Sequence, residues 1–285
     1  MNKIKVRTPA KVNLTLEILN KREDGFHNLQ SIMQAVNLYD YLTIEKEPFS
    51  GISIELSGNS DKIPYNDSNL VYKAATKFFE KTKITNVKLK IYIEKYIPVA
   101  AGLAGGSTNA AGTLYALNKL FNEHLNVEET DELCAQLGSD INFCFYGGCS
   151  LCTGRGEKTE KIPCFEQSIS LIKPKKLGIS TKEAYGSFAA LQNKSNPDNT
   201  TKLKELLLKN QFDEALLYNS FEKALFPKYK ELRHIKSTIK NSLMSGSGST
   251  FFVLKPFINA DLNNSDYDIF ENLKTIKTGV ETVND

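Results

Sequence analysis

Pro98-Val99-Ala100-Ala101-Gly102-Leu103-Ala104-Gly105-Gly106-Ser107-Thr108-Asn109-Ala110-Ala111-Gly112 decides how this chain folds, because it joins a strand pattern to a helix pattern. Upstream, Val87, Leu89, Ile91 and Ile93 alternate with Lys88, Lys90, Tyr92 and Glu94, the period of a half-buried strand, which Pro98 then stops. Downstream, Ala110, Leu114, Leu117 and Phe121 share one helical face, so the spacing predicts a helix over 107–121. Between the two, Gly102, Gly105 and Gly106 lack a Cβ and let main-chain N–H groups approach a ligand. A helix N-terminus offers unpaired N–H groups and the positive end of the macrodipole, and Ser107 and Thr108 add hydroxyls. The junction reads as a phosphate cradle.

The 285 residues suffice for two ordinary domains. Apolar residues at 41% and charged residues at 24% are globular usage, without a repeat period or low-complexity block, which sets aside disordered and solenoid classes. Thirty-six basic and 33 acidic residues, mixed along the chain for a net charge of +3, give no nucleic-acid footprint but leave room for a small anionic ligand. No apolar run approaches membrane-spanning length and the N-terminus lacks a signal-peptide core, so a cytoplasmic protein with no nucleic-acid and no membrane partner is expected. Cys134, Cys144, Cys149, Cys152 and Cys164 then read as free thiols. Cys149-Ser150-Leu151-Cys152 has no second CxxC and the three histidines are scattered, so buried strand cysteines fit better than a zinc or redox site.

In chain order, Val12, Leu14, Leu16 and Ile18 alternate with Lys11, Asn13, Thr15 and Glu17, so Lys11 and Asn13 point the same way. By itself Lys11 is a solvated strand lysine. Asp24-Gly25 marks a tight turn followed by Phe26 and His27, which as an exposed pair could stack on a planar base and otherwise are structural. Runs between residues 36 and 56, broken at Phe49-Ser50-Gly51, predict a hairpin or meander. Asp67 is the expected N-cap of a helix burying Val71, Ala74, Ala75, Phe78 and Phe79. Asn126 caps another, acidic at Glu128 and Glu129, burying Leu133 and Leu137 and stopped by Gly138. Asp140 follows, and alone it would be the cap of the next turn. A first domain closes near Gly154-Arg155-Gly156-Glu157. The second half predicts a strand over 168–172, a helix over 181–191, a polar loop at Asn193 to Thr200, more helix to about 241, and a Gly/Ser loop before the apolar strand at Phe251.

The glycine loop is neither of two familiar kinds. No lysine follows Gly105 or Gly106, as a Walker A loop needs, and neither it nor Gly246-Ser247-Gly248 supplies the three glycines of a dinucleotide fingerprint. Pro9-Ala10-Lys11-Val12-Asn13-Leu14, the loop at 98–108 and Ser245-Gly246-Ser247-Gly248, in this order and spacing, resemble the three motifs of the GHMP kinase superfamily. Arg22-x-Asp24-Gly25-Phe26-His27-x-Leu29-Gln30 and Gly138-Ser139-Asp140 are similar to the branch that phosphorylates the 2-hydroxyl of a cytidine-diphosphate-linked methylerythritol on the non-mevalonate route to isoprenoids. The resemblance covers nearly the whole length.

That resemblance implies an α+β, two-domain GHMP kinase fold: a ribosomal-protein-S5-like α/β domain over residues 1–155 and a ferredoxin-like α+β domain over 156–285. It implies ATP and Mg²⁺ as cofactors and a small-molecule substrate, in a monomer or homodimer. Lys11 and Asp140 become the catalytic pair, the carboxylate as general base and the ammonium beside it, with Asn13 orienting either group. Pro98, Val99, Ala100, Ala101, Gly102, Leu103, Ala104, Gly105, Gly106, Ser107 and Thr108 hold the ATP phosphates, and Ser107 is a ligand for Mg²⁺. Phe26, His27 and Tyr185 take the cytidine end, and Gly246 and Ser247 contact substrate. Ala101 and Ala104 stand where the family commonly has glycine, Asn142 where it often has proline, and Met33 where some members carry an aromatic. An alanine in a left-handed conformation would be strained. Open at this stage are a GHMP kinase for mevalonate, homoserine or a sugar, and a non-catalytic nucleotide-binding regulator.

Overall fold

The computed structural model describes residues 2–191, 196–255, 262 and 265–283. The first half runs β1 (Lys3–Lys21), β2 (His27–Pro48), β3 (Ile52–Gly58), α1 (Leu70–Thr82), β4 (Val87–Glu94), α2 (Gly105–Leu120), α3 (Val127–Leu137), α4 (Ile141–Tyr146), β5 (Cys149–Gly154) and β6 (Lys158–Ile162). The second runs β7 (Ser168–Pro174), α5 (Thr181–Ala189), α6 (Asn199–Leu208), a 3-10 turn at Glu214–Leu216, β8 (Tyr218–Asn219), α7 (Ser220–Leu225), α8 (Lys230–Thr238), β9 (Leu243–Met244), β10 (Phe251–Val253), β11 (Tyr267–Lys274) and β12 (Glu281–Thr282). The stretch read as a polar loop, Asn193 to Thr200, lies partly outside the described residues, and its last two residues open α6.

Among the described residues eight strands form the larger sheet, whose spine is β12-β1-β2-β4-β3, with β5 and β6 continuing from β2 and β8 lying parallel to β1. The smaller sheet is antiparallel, in the order β11-β7-β10-β9. The strand β1 belongs to every layer of the core. Its Ile4 and Val6 pack with Leu42, Phe78, Leu89 and Leu114 under the first helices. Val12 and Leu14 meet Leu171 and Phe252 of the smaller sheet, and Leu16 and Ile18 join Phe188 and Phe221. Irregularities against β2 at Pro9/Ala10, Asn13/Thr15 and Ile18/Lys21 let one strand bend through those three environments.

Two expectations are corrected here. The segments around Phe49-Ser50-Gly51 are not a hairpin, because β4 lies between β2 and β3, antiparallel to one and parallel to the other. The main-chain groups of Phe49 and Gly51 bond to Asn86 and Val87 at the start of β4, which carries the chain past β4 to the sheet edge. Asn69, not Asp67, caps α1: its Oδ1 accepts the Val71 N–H at 2.9 Å. Asn66 holds the preceding turn by accepting from both the N–H and the hydroxyl of Ser68, which leaves Asp67 outside the helix. The cap of α3 is as expected, Asn126 and Glu129 forming a reciprocal capping box. Cys149 and Cys152 are buried on β5, and none of the five cysteines is in a disulfide.

Candidate active site

The phosphate-loop helix α2 begins without a side-chain cap. Its Ncap position is Ala104, at φ 59° and ψ 27°, and the first helical bond is Thr108 N–H to Ala104 O at 2.9 Å. The N–H groups of Gly105, Gly106 and Ser107 thus open the helix toward the cavity with no side chain competing for them. Ala104 is the alanine in the strained left-handed region; Ala101 is not, whereas Ala100 is, at φ 51°. Thr108 stands apart from the rest of its motif: it is buried, and its hydroxyl donates to Pro9 O at 2.8 Å, tying the helix to β1.

Lys11 leaves the bent part of β1 almost wholly buried, 3% exposed. Its Nζ donates to Asn13 Oδ1 at 2.7 Å and to Gly102 O at 3.1 Å, and lies 3.6 Å from Asp140 Oδ2. The Asn13 amide is oriented by its other end, which donates to Ser31 Oγ at 2.8 Å. Asp140 occupies the position before α4, yet its carboxylate makes no cap bond and faces Lys11 instead. The cap reading of Asp140 therefore gives way to a buried ammonium beside a partly exposed carboxylate, at the wall of the phosphate loop.

The Gly/Ser loop of the second half closes on this point. Ser245 Oγ donates to Gly102 O at 2.9 Å, and Thr250 N–H to Ala101 O at 3.2 Å. Both Gly102 and Gly246 have positive φ, and the approach is too close for side chains: a Cβ on Gly102 would lie 2.0 Å from Ser245 O. A Cβ on Gly246 would lie 3.2 Å from Lys11 Nζ. Asn219 fixes the loop from behind, donating to Met244 O at 2.6 Å and Gly246 O at 2.9 Å.

Sequence reasoning missed a second buried ion pair, Asp40 with Lys95. Asp40 is fully buried at the middle of β2; its Oδ1 accepts the N–H groups of Tyr96 (2.7 Å) and Ile97 (2.8 Å), and its Oδ2 accepts from Lys95 (2.5 Å) and Asn109 (2.9 Å). One carboxylate thus pins the segment entering the phosphate loop and the helix leaving it. Burial lowers the Lys95 ammonium from its ordinary value, and Asp40 opposes that lowering.

A cavity of about 890 Å³ runs from the phosphate loop to the turn before β2. It is lined by Lys11, Asn13, Asp140, Gly246, Ser247 and every residue from Pro98 to Ser107. Phe26, His27 and Tyr185 line it as well. His27 stacks on Tyr185 at 5.3 Å between centroids and 18° between planes, and Tyr185 meets Phe221 edge-on at 5.0 Å. Phe26 stays 52% exposed, with the Arg155 guanidinium 5.0 Å from its ring centre, so it and His27 are not equally open as expected. Burial, with Asp140 adding, pushes the Tyr185 phenol up to about 12, so it remains a neutral donor near pH 7. Among the described residues lining the cavity, five are cations, Lys11, Lys21, Lys95, Arg155 and Lys182, against the single carboxylate of Asp140, an environment for a polyanion.

Residues 69–148 match the family model of the GHMP kinases N terminal domain. A 4-diphosphocytidyl-2-C-methyl-D-erythritol kinase of Clostridium botulinum is 39% identical over 254 residues, covering 87% of this chain and 89% of its own. One from Bacillus cereus is 39% identical over 261 residues, with 88% of each chain covered. The chain belongs to the 4-diphosphocytidyl-2-C-methyl-D-erythritol kinase family of GHMP kinases. It is an ATP-dependent small-molecule kinase with the mixed α/β GHMP fold. The crystal structure of a 4-(cytidine 5'-diphospho)-2C-methyl-D-erythritol kinase superposes with a TM-score of 0.68 at 29% identity, over 89% of this chain and 91% of that one. A homoserine kinase of Cytophaga hutchinsonii gives 0.76 at 18% identity over 99% and 98%, a likeness of fold alone. No described helix is long and apolar enough to cross a membrane.

Proposed function

We propose that this kinase transfers the γ-phosphate of ATP to the 2-hydroxyl of 4-diphosphocytidyl-2-C-methyl-D-erythritol, in isoprenoid precursor synthesis. The observation that carries the reading is one cavity lined both by the Lys11–Asp140 pair at the phosphate loop and by an aromatic group, Phe26, His27 and Tyr185. A substrate with a nucleobase at one end and an alcohol at the other suits that layout. In this reading residues 1–155 supply the ATP-binding domain and 156–285 close the site.

The acceptor alcohol approaches Asp140, whose carboxylate takes the hydroxyl proton as the new P–O bond forms and the bond from the γ-phosphorus to the bridging oxygen breaks, releasing ADP. Lys11, held by Asn13 and Gly102 O, neutralises charge gathering on the attacking oxygen and the transferred phosphoryl group. The uncapped N–H groups of Gly105, Gly106 and Ser107 hold the phosphates at the helix N-terminus. Ile63, Leu70 and Val99 give the adenine an apolar wall. Among the described residues no cluster of three or more acidic, histidine or cysteine side chains could hold a metal alone. That donor set fits a Mg²⁺ carried mainly by phosphate oxygens and water, with the Ser107 hydroxyl as its protein ligand. When bound, the ion neutralises phosphate charge. At the other end Phe26 stacks on the cytosine, and His27 and Tyr185 offer ring edges and a phenol to it.

The test is phosphorylation by the purified protein with ATP and Mg²⁺, comparing the cytidyl substrate with mevalonate and homoserine. The cytidyl compound is the expected substrate, and Asp140→Asn should lower kcat about 100- to 10,000-fold. No turnover of that compound would reject the assignment, and an unimpaired Asp140→Asn would reject the base.

A further inference from the structure

Arg155 is a cation in the cavity that the steps above do not use. It sits in the turn between β5 and β6, its side chain 28% exposed, with its guanidinium 5.0 Å from the Phe26 ring centre. Its Nη2 donates to Ala135 O at 3.4 Å, and its Nε is 3.9 Å from Glu157 Oε2. That same Oε2 accepts the Arg155 main-chain N–H at 2.6 Å, so Glu157 shapes the turn more than it neutralises the guanidinium. The next residue faces the chemistry: a Cβ on Gly156 would lie 3.4 Å from Ser139 Cβ and 3.8 Å from Asp140 Oδ1. Asn142 Nδ2 donates to Glu157 O at 3.0 Å, binding the turn to α4. The turn thus stands between the aromatic at the base end and the carboxylate at the acceptor end.

A substrate with cytosine on Phe26 and its alcohol at Asp140 must lay its diphosphate linker across that turn. We propose that Arg155 binds this diphosphate and so selects a nucleotide-linked alcohol over a free one, an inference resting on the substrate reading above. The other cations suit the task less. Lys11 is engaged with Asp140, Asn13 and Gly102 O, and Lys95 with Asp40, while Lys21 and Lys182 are exposed. Held against an aromatic ring, the planar guanidinium loses little freedom on binding, and its fork matches two phosphate oxygens at once.

The test compares wild type, Arg155→Gln and Arg155→Lys in turnover of the cytidyl substrate and in calorimetric binding of CDP and cytidine. Arg155→Gln should raise KM for the cytidyl substrate and weaken CDP binding about 10- to 100-fold, the size of a lost charge-assisted hydrogen bond. Cytidine binding, KM for ATP and kcat should stay within about twofold, and Arg155→Lys should recover part of the loss. Equal weakening of CDP and cytidine would overturn the proposal, since Arg155 would then act only by bracing Phe26. A fall in kcat with KM unchanged would overturn it too, marking the turn as support for Asp140. If the wild type fails to phosphorylate the cytidyl compound, the substrate reading falls, and the CDP-against-cytidine comparison still decides whether Arg155 reads a diphosphate.

Discussion

Replacing Asp40 with asparagine tests whether one buried carboxylate holds both ends of the phosphate loop. The substitution keeps the shape and an acceptor for the Tyr96 and Ile97 N–H groups, but leaves the Lys95 ammonium, whose side chain is 5% exposed, without its counter-ion. Removing one partner of a buried pair costs about 3–5 kcal/mol. For a chain of 285 residues the unfolding entropy is about 0.6 kcal/mol/K, so Tm should fall by about 5–8 °C in calorimetry. Adding Lys95→Met removes the stranded charge and should return at least half of that loss. A pH signature accompanies it. Burial puts the folded-state Lys95 value below 10.5, so across that window Lys95 by itself adds stability as pH rises, while buried thiols and phenols such as Cys134 and Tyr185, both raised to about 12, subtract it; the Lys95 contribution is read as the difference from the Lys95→Met variant. Asp40→Asn removes the opposing carboxylate, so the Lys95 contribution should begin at lower pH. A single variant melting within 2 °C of wild type, or a double variant no more stable than Asp40→Asn, would refute the argument.

Three further outcomes are expected. Phe26→Ala should raise KM for the cytidyl substrate about 10- to 100-fold through lost stacking and leave KM for ATP within twofold; an unchanged KM would place the base elsewhere. Ala104→Gly relieves a left-handed alanine worth about 1–2 kcal/mol against about 0.5–1 kcal/mol of added unfolded-state entropy, so Tm should rise by up to about 2.5 °C. A fall would show that the residue is not strained. Cys164 should alkylate at lower pH than an ordinary thiol, because the neighbouring Cys149, helped by the positive charges of Lys161 and Lys277, lowers it. Mass spectrometry should find the label there first, and a midpoint near 9 would contradict the contact.

Much of the catalytic wall was legible in the sequence because it is made of local motifs. Lys11 and Asn13 share a face by the period of the strand, the loop at 98–107 sits where strand pattern meets helix pattern, and Asp140 follows a helix stop. What brings them together was not legible. Alternation marks β2, β3 and β4 as strands but carries no strand order, and so it suggested a hairpin where β4 intervenes. Asp40 and Lys95 are 55 positions apart and look like ordinary polar residues until the fold buries both. Backbone conformation was also hidden: of the two alanines singled out, only Ala104 has positive φ, and Ala100 joins it because the loop turns there to meet Gly178 and Ile179.

The long strand β1 also sets a schedule for synthesis. Its Val6 and Arg7 pair with residues 281–282, and its Thr15 and Leu16 with residues 218–219. One edge of β1 is covered at once by β2, but a ribosome adding about 5–20 residues per second finishes β8, on the other edge, some 10–40 s, and β12 some 13–50 s, after β1 is made. Over that interval the strand that carries Lys11 has an open, sticky edge in the nascent chain, the kind of surface that invites capture by a chaperone or by a neighbouring copy.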